Sequence, residues 1–221
     1  MNIMDIIGPV MVEPSSSHTA GAVKIGQISR KLLAEPVQQA EICFHGSFLA
    51  TGKGHGTDRA LVAGLLGLAV DDENIPNSFA IAAERNLTFS IHGIDLGDAH
   101  PNTVKMKLTG ESGRTLEIVA ASIGGGQIRI CEIDGLNANF CGEYPTLIVH
   151  NLDQPGHVTE VTSMLAHKSV NIATMQLYRD SRGGNAVMVI ECDQEVPQEA
   201  IRWLEHLEGI EKVTYLSLEE S

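Results

Sequence analysis

The chain has 221 residues, of which 43% are hydrophobic and 19% charged, and its formal net charge is −13 at pH 7. This length allows one large or two small domains that each bury a core, and the acidic balance argues against nucleic-acid or anionic-membrane binding. No apolar run reaches the roughly 18 residues of a membrane span, and the N-terminus lacks a basic signal-peptide region, so we expect a cytoplasmic protein.

A group of hydroxyl and imidazole side chains precedes the first predicted helix. This group, called the serine cluster below, consists of Ser15, Ser16, Ser17, His18 and Thr19. Apolar residues then recur at helical spacing over 23–33, which predicts a helix with the cluster at its N-terminus. Unpaired backbone N–H groups and the helix dipole would favour a carboxylate or phosphate there. The alternative is that one hydroxyl caps the helix and the others form a polar loop.

A glycine-rich loop over 50–58 follows a predicted strand over 41–49 and leads into a predicted apolar helix over 60–70, with Thr57 or Asp58 as N-cap. Its glycines would let backbone approach a ligand, and Lys53 adds a positive charge. The spacing matches neither the P-loop nor the dinucleotide-binding fingerprint. The alternative is a tight strand-to-helix turn. Gly64 and Gly67 inside the predicted helix indicate close packing on that face.

Two-residue periodicity then predicts strands over 87–92, 103–108, 115–121 and 127–133, with glycine-rich turns that favour an antiparallel meander. The rhythm changes near Gly142–Pro145, so we place a first domain at residues 1–143 and a second at 146–221. The second domain has predicted strands at 146–150, 170–178, 186–192 and 210–216, with helices at 157–167 and 197–207. This βαββαβ order predicts a ferredoxin-like fold.

The cysteines are Cys43, Cys131, Cys141 and Cys192, and no pair has metal-ligand spacing. We therefore expect no metal site in this chain and interpret each thiol as a reduced core or strand residue. Cys131 and Cys141 could instead approach each other across a hairpin.

The second domain resembles the ACT domain, a small-molecule sensor attached to many enzymes of amino-acid metabolism. The resemblance rests on Asn-Leu-Asp-Gln-Pro-Gly at 151–156 and on Val-Asn-Ile at 170–172, and it is strongest to the serine-binding ACT domain of phosphoglycerate dehydrogenase. It implies that Asn151, Asp153 and Asn171 bind an amino-acid effector, often across an interface between two ACT units. Self-association through this domain is therefore expected.

The serine cluster together with Gly-His-Gly-Thr-Asp at 54–58 resembles the β subunit of bacterial iron–sulfur-dependent L-serine dehydratase. The resemblance implies an α+β chain: an N-terminal α/β domain of the serine dehydratase β type, which is allosteric substrate-binding-like, followed by the ACT domain. It also implies an enzyme that converts L-serine to pyruvate and ammonia, with a [4Fe–4S] cluster ligated by a separate α subunit.

The same resemblance assigns substrate binding to the serine cluster and catalytic roles to His18 and His55. A helix N-terminus would lower the pKa of His18 and favour its neutral form. Two alternatives remain open at this point. The chain could be a regulatory module without a catalytic role, like the related insert of some phosphoglycerate dehydrogenases, or a structural partner whose serine cluster serves only for docking.

Overall fold

The computed structural model describes residues 16–52 and 54–218. Their contacts form two units, the first ending at Asp134 and the second beginning at Gly135. The division near Gly142–Pro145 stays a prediction of where the two domains join. Among the described residues, no helix is both long and apolar enough to span a bilayer.

The serine cluster enters a helix rather than capping one. A π-helical turn, Ser16–Ala20, continues directly into helix α1, Gly21–Leu33. Ala20 has helical backbone angles, and no side chain caps α1 among the residues that the structure describes. The cluster lies at the N-terminus of the helical segment, as predicted, and its described residues form the first turn instead of a cap. The apolar residues of α1 are buried as the periodicity predicts, with Val23 and Ile25 fully enclosed. Helix α1 ends at Ala34, which has a left-handed φ of 62°.

The first strand is shorter than predicted, and a short helix takes its last residues. Strand β1 is Val37–Phe44 and helix α2 is Gly46–Thr51. Gly46 makes the change of direction possible, because its φ is +55° and a side chain there would lie 2.6 Å from the Pro101 carbonyl oxygen. The predicted strand over 41–49 is therefore wrong beyond Phe44. The glycine-rich loop then leads into helix α3, Thr57–Leu65.

Helix α3 begins one residue earlier than an N-cap at Thr57 would require, because the cap is Gly56, with φ 65°. A 3₁₀ turn, Ile75–Asn77, and helix α4, Ser78–Glu84, follow. Gly64 lies in α3 as predicted, whereas Gly67 lies beyond its end in a turn with φ +85°. The prediction that Gly67 belongs to the helix is therefore wrong, and the turn explains why glycine stands there.

Helices α1 and α3 cross almost in backbone contact. A Cβ built on Gly64 would lie 2.1 Å from the Val23 carbonyl oxygen, and one built on Gly26 would lie 2.4 Å from the Leu61 carbonyl oxygen. Only glycine fits at either position. Thr19 contacts His55 before the crossing and Arg30 contacts Leu65 after it. The helices thus run in the same direction, and the residues just before each of them lie side by side.

The strands after α4 are β2 (Thr88–Gly93), β3 (Thr103–Gly110), β4 (Thr115–Gly124), β5 (Gln127–Ile133) and β6 (Leu136–Phe140). The sheet order is β2-β1-β3-β4-β5-β6. Strand β1 is parallel to β2 and antiparallel to β3, while β3, β4 and β5 form the predicted antiparallel meander. Strand β6 was not predicted.

The second unit has the predicted βαββαβ order. Its elements are β7 (Thr146–Leu152), α5 (His157–His167), β8 (Ile172–Arg179), β9 (Asn185–Cys192), α6 (Gln198–Glu205) and β10 (Ile210–Leu216). The sheet order is β10-β7-β9-β8, which is the ferredoxin-like arrangement. Its core includes Leu147, Val161, Met188 and Leu204 from strands and helices. The fold class predicted from the sequence is confirmed.

Candidate functional site

His18 is the centre of the candidate site. It lies in the π-helical turn, and its Nδ1 is 3.2 Å from Ser17 Oγ. Its Nε2 is 3.2 Å from Ser47 Oγ and 3.1 Å from Thr51 Oγ1, two hydroxyls of helix α2. The imidazole is therefore held from both ring nitrogens by hydroxyl groups, which fixes its ring plane.

The glycine-rich loop brings a second imidazole to the same place. The ring centroids of His18 and His55 are 4.9 Å apart and the rings are tilted by 45°. Thr19 Oγ1 donates a hydrogen bond of 3.4 Å to the His55 carbonyl, which ties the loop to the π-helical turn. The buried ring of Phe48 meets His18 edge-on, at 5.5 Å between centroids, and walls off one side of the imidazole. The site thus has two imidazoles and an apolar wall.

The surroundings of His18 favour its neutral form. Partial burial lowers its pKa, since a charged imidazolium is poorly solvated there, and the nearby His55 lowers it further. The Ser47 backbone acts in the opposite direction but is the weakest of the causes. A neutral imidazole has one nitrogen with a hydrogen and one with a lone pair, so His18 can both donate a hydrogen bond and accept a proton near pH 7.

The structure brings Ser17, His18, Thr19 and His55 together, while their roles in binding and catalysis stay a prediction. Ser15 lies outside the described residues, and only the backbone of Ser16 is described. Sequence reasoning missed Ser47 and Thr51, since both stood in segments interpreted as strand or loop. A signal was present in the sequence: Ser47 and Thr51 are four residues apart, which is the spacing of neighbours on a helix.

Two hydroxyls are buried behind the site. Ser122 Oγ lies under Gly21, where a built Cβ would be only 2.0 Å away, so the start of α1 rests on this serine. Thr57, the first residue of α3, is also fully buried. Among the residues that the structure describes, neither hydroxyl has a hydrogen-bond partner. An unpaired buried hydroxyl costs free energy, so these groups weaken the ends of the two helices that hold the histidines.

The cysteines do not form a metal site. All four are free, and the described part of the chain contains no group of three or more side chains arranged to bind a metal ion. Burial raises the pKa of each thiol, to about 11 for Cys192. A metal ligand must be a thiolate, so these environments work against ligation. The described residues of this chain therefore do not fit an iron–sulfur cluster.

The three residues assigned to effector binding do not meet within one copy of the second unit. Asn151 and Asp153 lie at the C-terminal end of β7, whereas Asn171 precedes β8, whose Ile172 pairs with Cys192 at the end of β9. Thr146, at the other end of β7, pairs with Glu191, the neighbour of Cys192. Asn171 therefore lies at the end of the sheet where β7 begins, and Asn151 and Asp153 lie at the end where β7 stops. Asn171 instead donates a hydrogen bond of 2.6 Å to Asp193.

Asp153 is committed to the β8–β9 hairpin. Its Oδ2 accepts hydrogen bonds of 2.9 Å from the Gly183 N–H and from Arg179 Nη1. The Gly183 N–H and then the Arg179 guanidinium hold its pKa below the ordinary range for aspartate. Asn151 is nearly enclosed, and its Nδ2 donates to the Leu152 carbonyl. A ligand here would have to compete with the bonds of Asp153 and of Asn151 Nδ2, whereas the buried Asn151 Oδ1 has no hydrogen-bond partner among the described residues.

Comparison with known proteins gives one family for residues 2–88 and, through individual relatives, for nearly the whole chain. Residues 2–88 match the family "Serine dehydratase beta chain". The chain is 38% identical over 216 residues to the "Probable L-serine dehydratase, beta chain" of Bacillus subtilis, covering 98% of each chain. It is 37% identical to the "L-serine dehydratase, beta chain" of Peptoniphilus asaccharolyticus, covering 88% of each.

The chain also resembles, at lower identity, part of a different enzyme. The chain is 30% identical over 201 residues to the D-3-phosphoglycerate dehydrogenase of Bacillus subtilis, covering 89% of this chain but only 37% of that enzyme. That likeness concerns a part of a larger protein, whereas the two beta chains match over 98% and 88% of their lengths. Because it is 37–38% identical to these two beta chains over most of its length, the chain belongs to the L-serine dehydratase beta chain family.

Proposed function

We propose that this chain supplies the substrate-positioning half of an L-serine dehydratase site that an α subunit completes. The observation that carries the proposal is the position of His18, which is held by hydroxyls at both ring nitrogens and lies 4.9 Å from His55 between ring centroids. Paired imidazoles with one lowered pKa are suited to moving protons near neutral pH. Family membership supports L-serine as the substrate.

The reaction removes water from L-serine. The bond between Cα and its hydrogen breaks, its electron pair becomes a second Cα–Cβ bond, and hydroxide leaves with the pair of the Cβ–O bond. The enamine product then gives pyruvate and ammonia by hydrolysis. Such a reaction needs a base for the proton and groups that hold the carboxylate and ammonium in place. We assign the proton to His18 or His55 and the carboxylate to the serine cluster.

The serine cluster suits a carboxylate because hydroxyls lie at the first turn of a helix. Ser17 is in the π-helical turn, whose direction continues into α1, so the positive end of the helix dipole lies there. Thr19 of the same turn is buried and donates its hydrogen to the His55 carbonyl, so it contributes by tying the glycine-rich loop to the turn. We include Ser15 and Ser16 in this proposal on the sequence alone. The [4Fe–4S] cluster expected for the family would be ligated by the α subunit, because the cysteines of this chain do not fit it.

The second unit would act as an ACT sensor that pairs with its counterpart in another copy. The placement of Asn171 away from Asn151 and Asp153 supports an effector site formed by two chains rather than one. A purely regulatory role for the whole chain is the second candidate, and the likeness to part of D-3-phosphoglycerate dehydrogenase favours it.

The two candidates differ in what His18 does. In a reconstituted complex with the α subunit, His18→Ala should lower kcat/KM on L-serine by roughly 10²-fold or more if the imidazole moves a proton. His167→Ala, an exposed histidine of α5, is the matched control and should leave turnover unchanged. Full turnover by His18→Ala would refute the catalytic role and favour the regulatory candidate. The isolated chain is expected to be inactive on L-serine.

A further inference from the structure

Ser47 and Thr51 form a hydroxyl pair on one face of α2. Thr51 Oγ1 donates to the Ser47 carbonyl at 2.9 Å, the bond that a helical threonine commonly makes to the residue four positions earlier. The two hydroxyl oxygens are 3.3 Å apart, within reach of a hydrogen bond. Each hydroxyl has a single hydrogen to donate, so each donation limits what else the group can do.

These limits determine which nitrogen of His18 has the hydrogen. Since Thr51 has spent its hydrogen on the carbonyl, its oxygen can only accept. Ser47 then donates to Thr51, and both oxygens keep lone pairs directed at His18 Nε2, at 3.2 Å and 3.1 Å. A hydrogen on Nε2 satisfies every one of these contacts. A lone pair on Nε2 would instead face the accepting oxygen of Thr51 and leave that contact repulsive.

The same reasoning determines the other nitrogen. A neutral imidazole with hydrogen on Nε2 has its lone pair on Nδ1, and Ser17 Oγ lies 3.2 Å from that atom. Ser17 can donate to Nδ1 while no substrate is present. We propose that Ser47 and Thr51 are positioning residues that hold neutral His18 as the Nε2–H tautomer, so that Nδ1, beside Ser17, is the atom that accepts a proton.

This inference deepens the proposed function and rests on it for its catalytic meaning. When Nδ1 takes a proton, its lone pair becomes the new N–H bond and Nε2 keeps its hydrogen. The resulting imidazolium donates on both sides, to Ser17 Oγ and to the hydroxyl pair, and among these hydroxyls only that of Ser17 has to reorient. The hydroxyl pair therefore acts through His18 without contacting the substrate.

The tautomer can be read directly from side-chain ¹⁵N spectra of the full chain, without the α subunit. The measurement is made well above the ordinary histidine pKa of about 6.5, and His18 is identified among the nine histidines by its loss in His18→Gln. We expect an unprotonated Nδ1 and a protonated Nε2. A hydrogen on Nδ1 in the wild-type chain would overturn the inference, whatever the variants do.

Variants test the positioning role. Thr51→Val keeps the shape but loses the hydroxyl, and the ratio of the two tautomers should shift by roughly three- to tenfold toward Nδ1–H. Thr51→Ser keeps the hydroxyl and should keep the wild-type ratio of tautomers. Thr162→Val is the matched control, because Thr162 makes the same bond to the residue four positions earlier but lies in α5. An unchanged ratio in Thr51→Val would refute the positioning role.

Turnover separates this inference from the proposed function. In the reconstituted complex, Thr51→Val should lower kcat with little change in KM, and Thr51→Ser should recover it. If His18→Ala retains full activity, the proposed function fails while the tautomer result stands by itself. If His18→Ala loses activity but the wild-type tautomer is Nδ1–H, the proposed function survives and this inference fails.

Discussion

The close crossing of α1 and α3 gives a sharp test of how the site is held together, through Gly64→Ala. The added methyl would lie 2.1 Å from the Val23 carbonyl oxygen, and ordinary contact needs about 3.5 Å, so the helices must separate by more than about 1 Å. Overpacking of this kind costs about 1–3 kcal/mol. In an uncrowded helix the same substitution would instead stabilise by about 1 kcal/mol. The expected sign of the effect therefore depends on the crossing alone.

Denaturant unfolding of Gly64→Ala against wild type measures that sign. Gly54→Ala is the control, because a Cβ at Gly54 would meet only the Thr51 carbonyl, at an ordinary 3.5 Å. The separation should also carry His55 away from His18, and misplacement of about 1 Å can reduce turnover by roughly 10²-fold. A Gly64→Ala chain more stable than wild type would refute the close crossing, and with it our account of how the two histidines are brought together.

Three further predictions concern titration and buried polarity. The pKa of His18 is lowered in the folded chain, so His18 binds a proton more tightly in the unfolded chain. The contribution of His18 to the free energy of unfolding should therefore be complete above the ordinary pKa of about 6.5 and be lost as pH drops through the lowered value. Urea unfolding at a series of pH values should show a weaker fall in His18→Gln. The lowered pKa of Asp153 contributes stability that is present above about 3.9 and lost as pH falls through its folded value. In Arg179→Gln, carboxyl ¹³C titration should show that pKa rising only part of the way, since the Gly183 N–H remains. Thr57→Val should leave the free energy of unfolding unchanged or raise it by up to about 2 kcal/mol, because it removes a buried hydroxyl that has no hydrogen-bond partner among the described residues. A lower free energy of unfolding in Thr57→Val would reveal a partner.

The sequence predicted the second unit well because its signals are local. Each strand alternates or is continuously apolar, each helix has one apolar face, and the turns contain glycine. The βαββαβ order followed from those patterns alone. The first unit was harder at 45–51, where an apolar strand ends and a short helix begins without a proline or a change in hydrophobicity. At the change stands Gly46, where the positive φ and the close approach of the Pro101 backbone, more than fifty residues later, both require glycine.

The candidate site also has residues that the sequence predicts and residues that it does not. His18 and His55 were identified because each stands in a conspicuous local motif. Ser47 and Thr51 belong to the site only because the parallel α1 and α3 set the π-helical turn beside α2, and no local pattern encodes that meeting. The π-helical turn itself was missed, since a run of hydroxyl residues is typical of a cap rather than of a helix interior.

The left-handed residue after α1, Ala34, is a position where a substitution could stabilise the chain. Ala34 has φ 62°, a conformation that costs a side-chain-bearing residue about 1–2 kcal/mol and costs glycine little. Ala34→Gly would remove that strain and so raise the free energy of unfolding, and the greater backbone entropy of glycine in the unfolded chain would lower the gain by about 0.5–1 kcal/mol. Ala34→Gly is therefore a natural second-site suppressor. It is remote from the imidazoles along α1, and it offers a background in which weakened variants of the helix crossing can be purified and their chemistry separated from their folding.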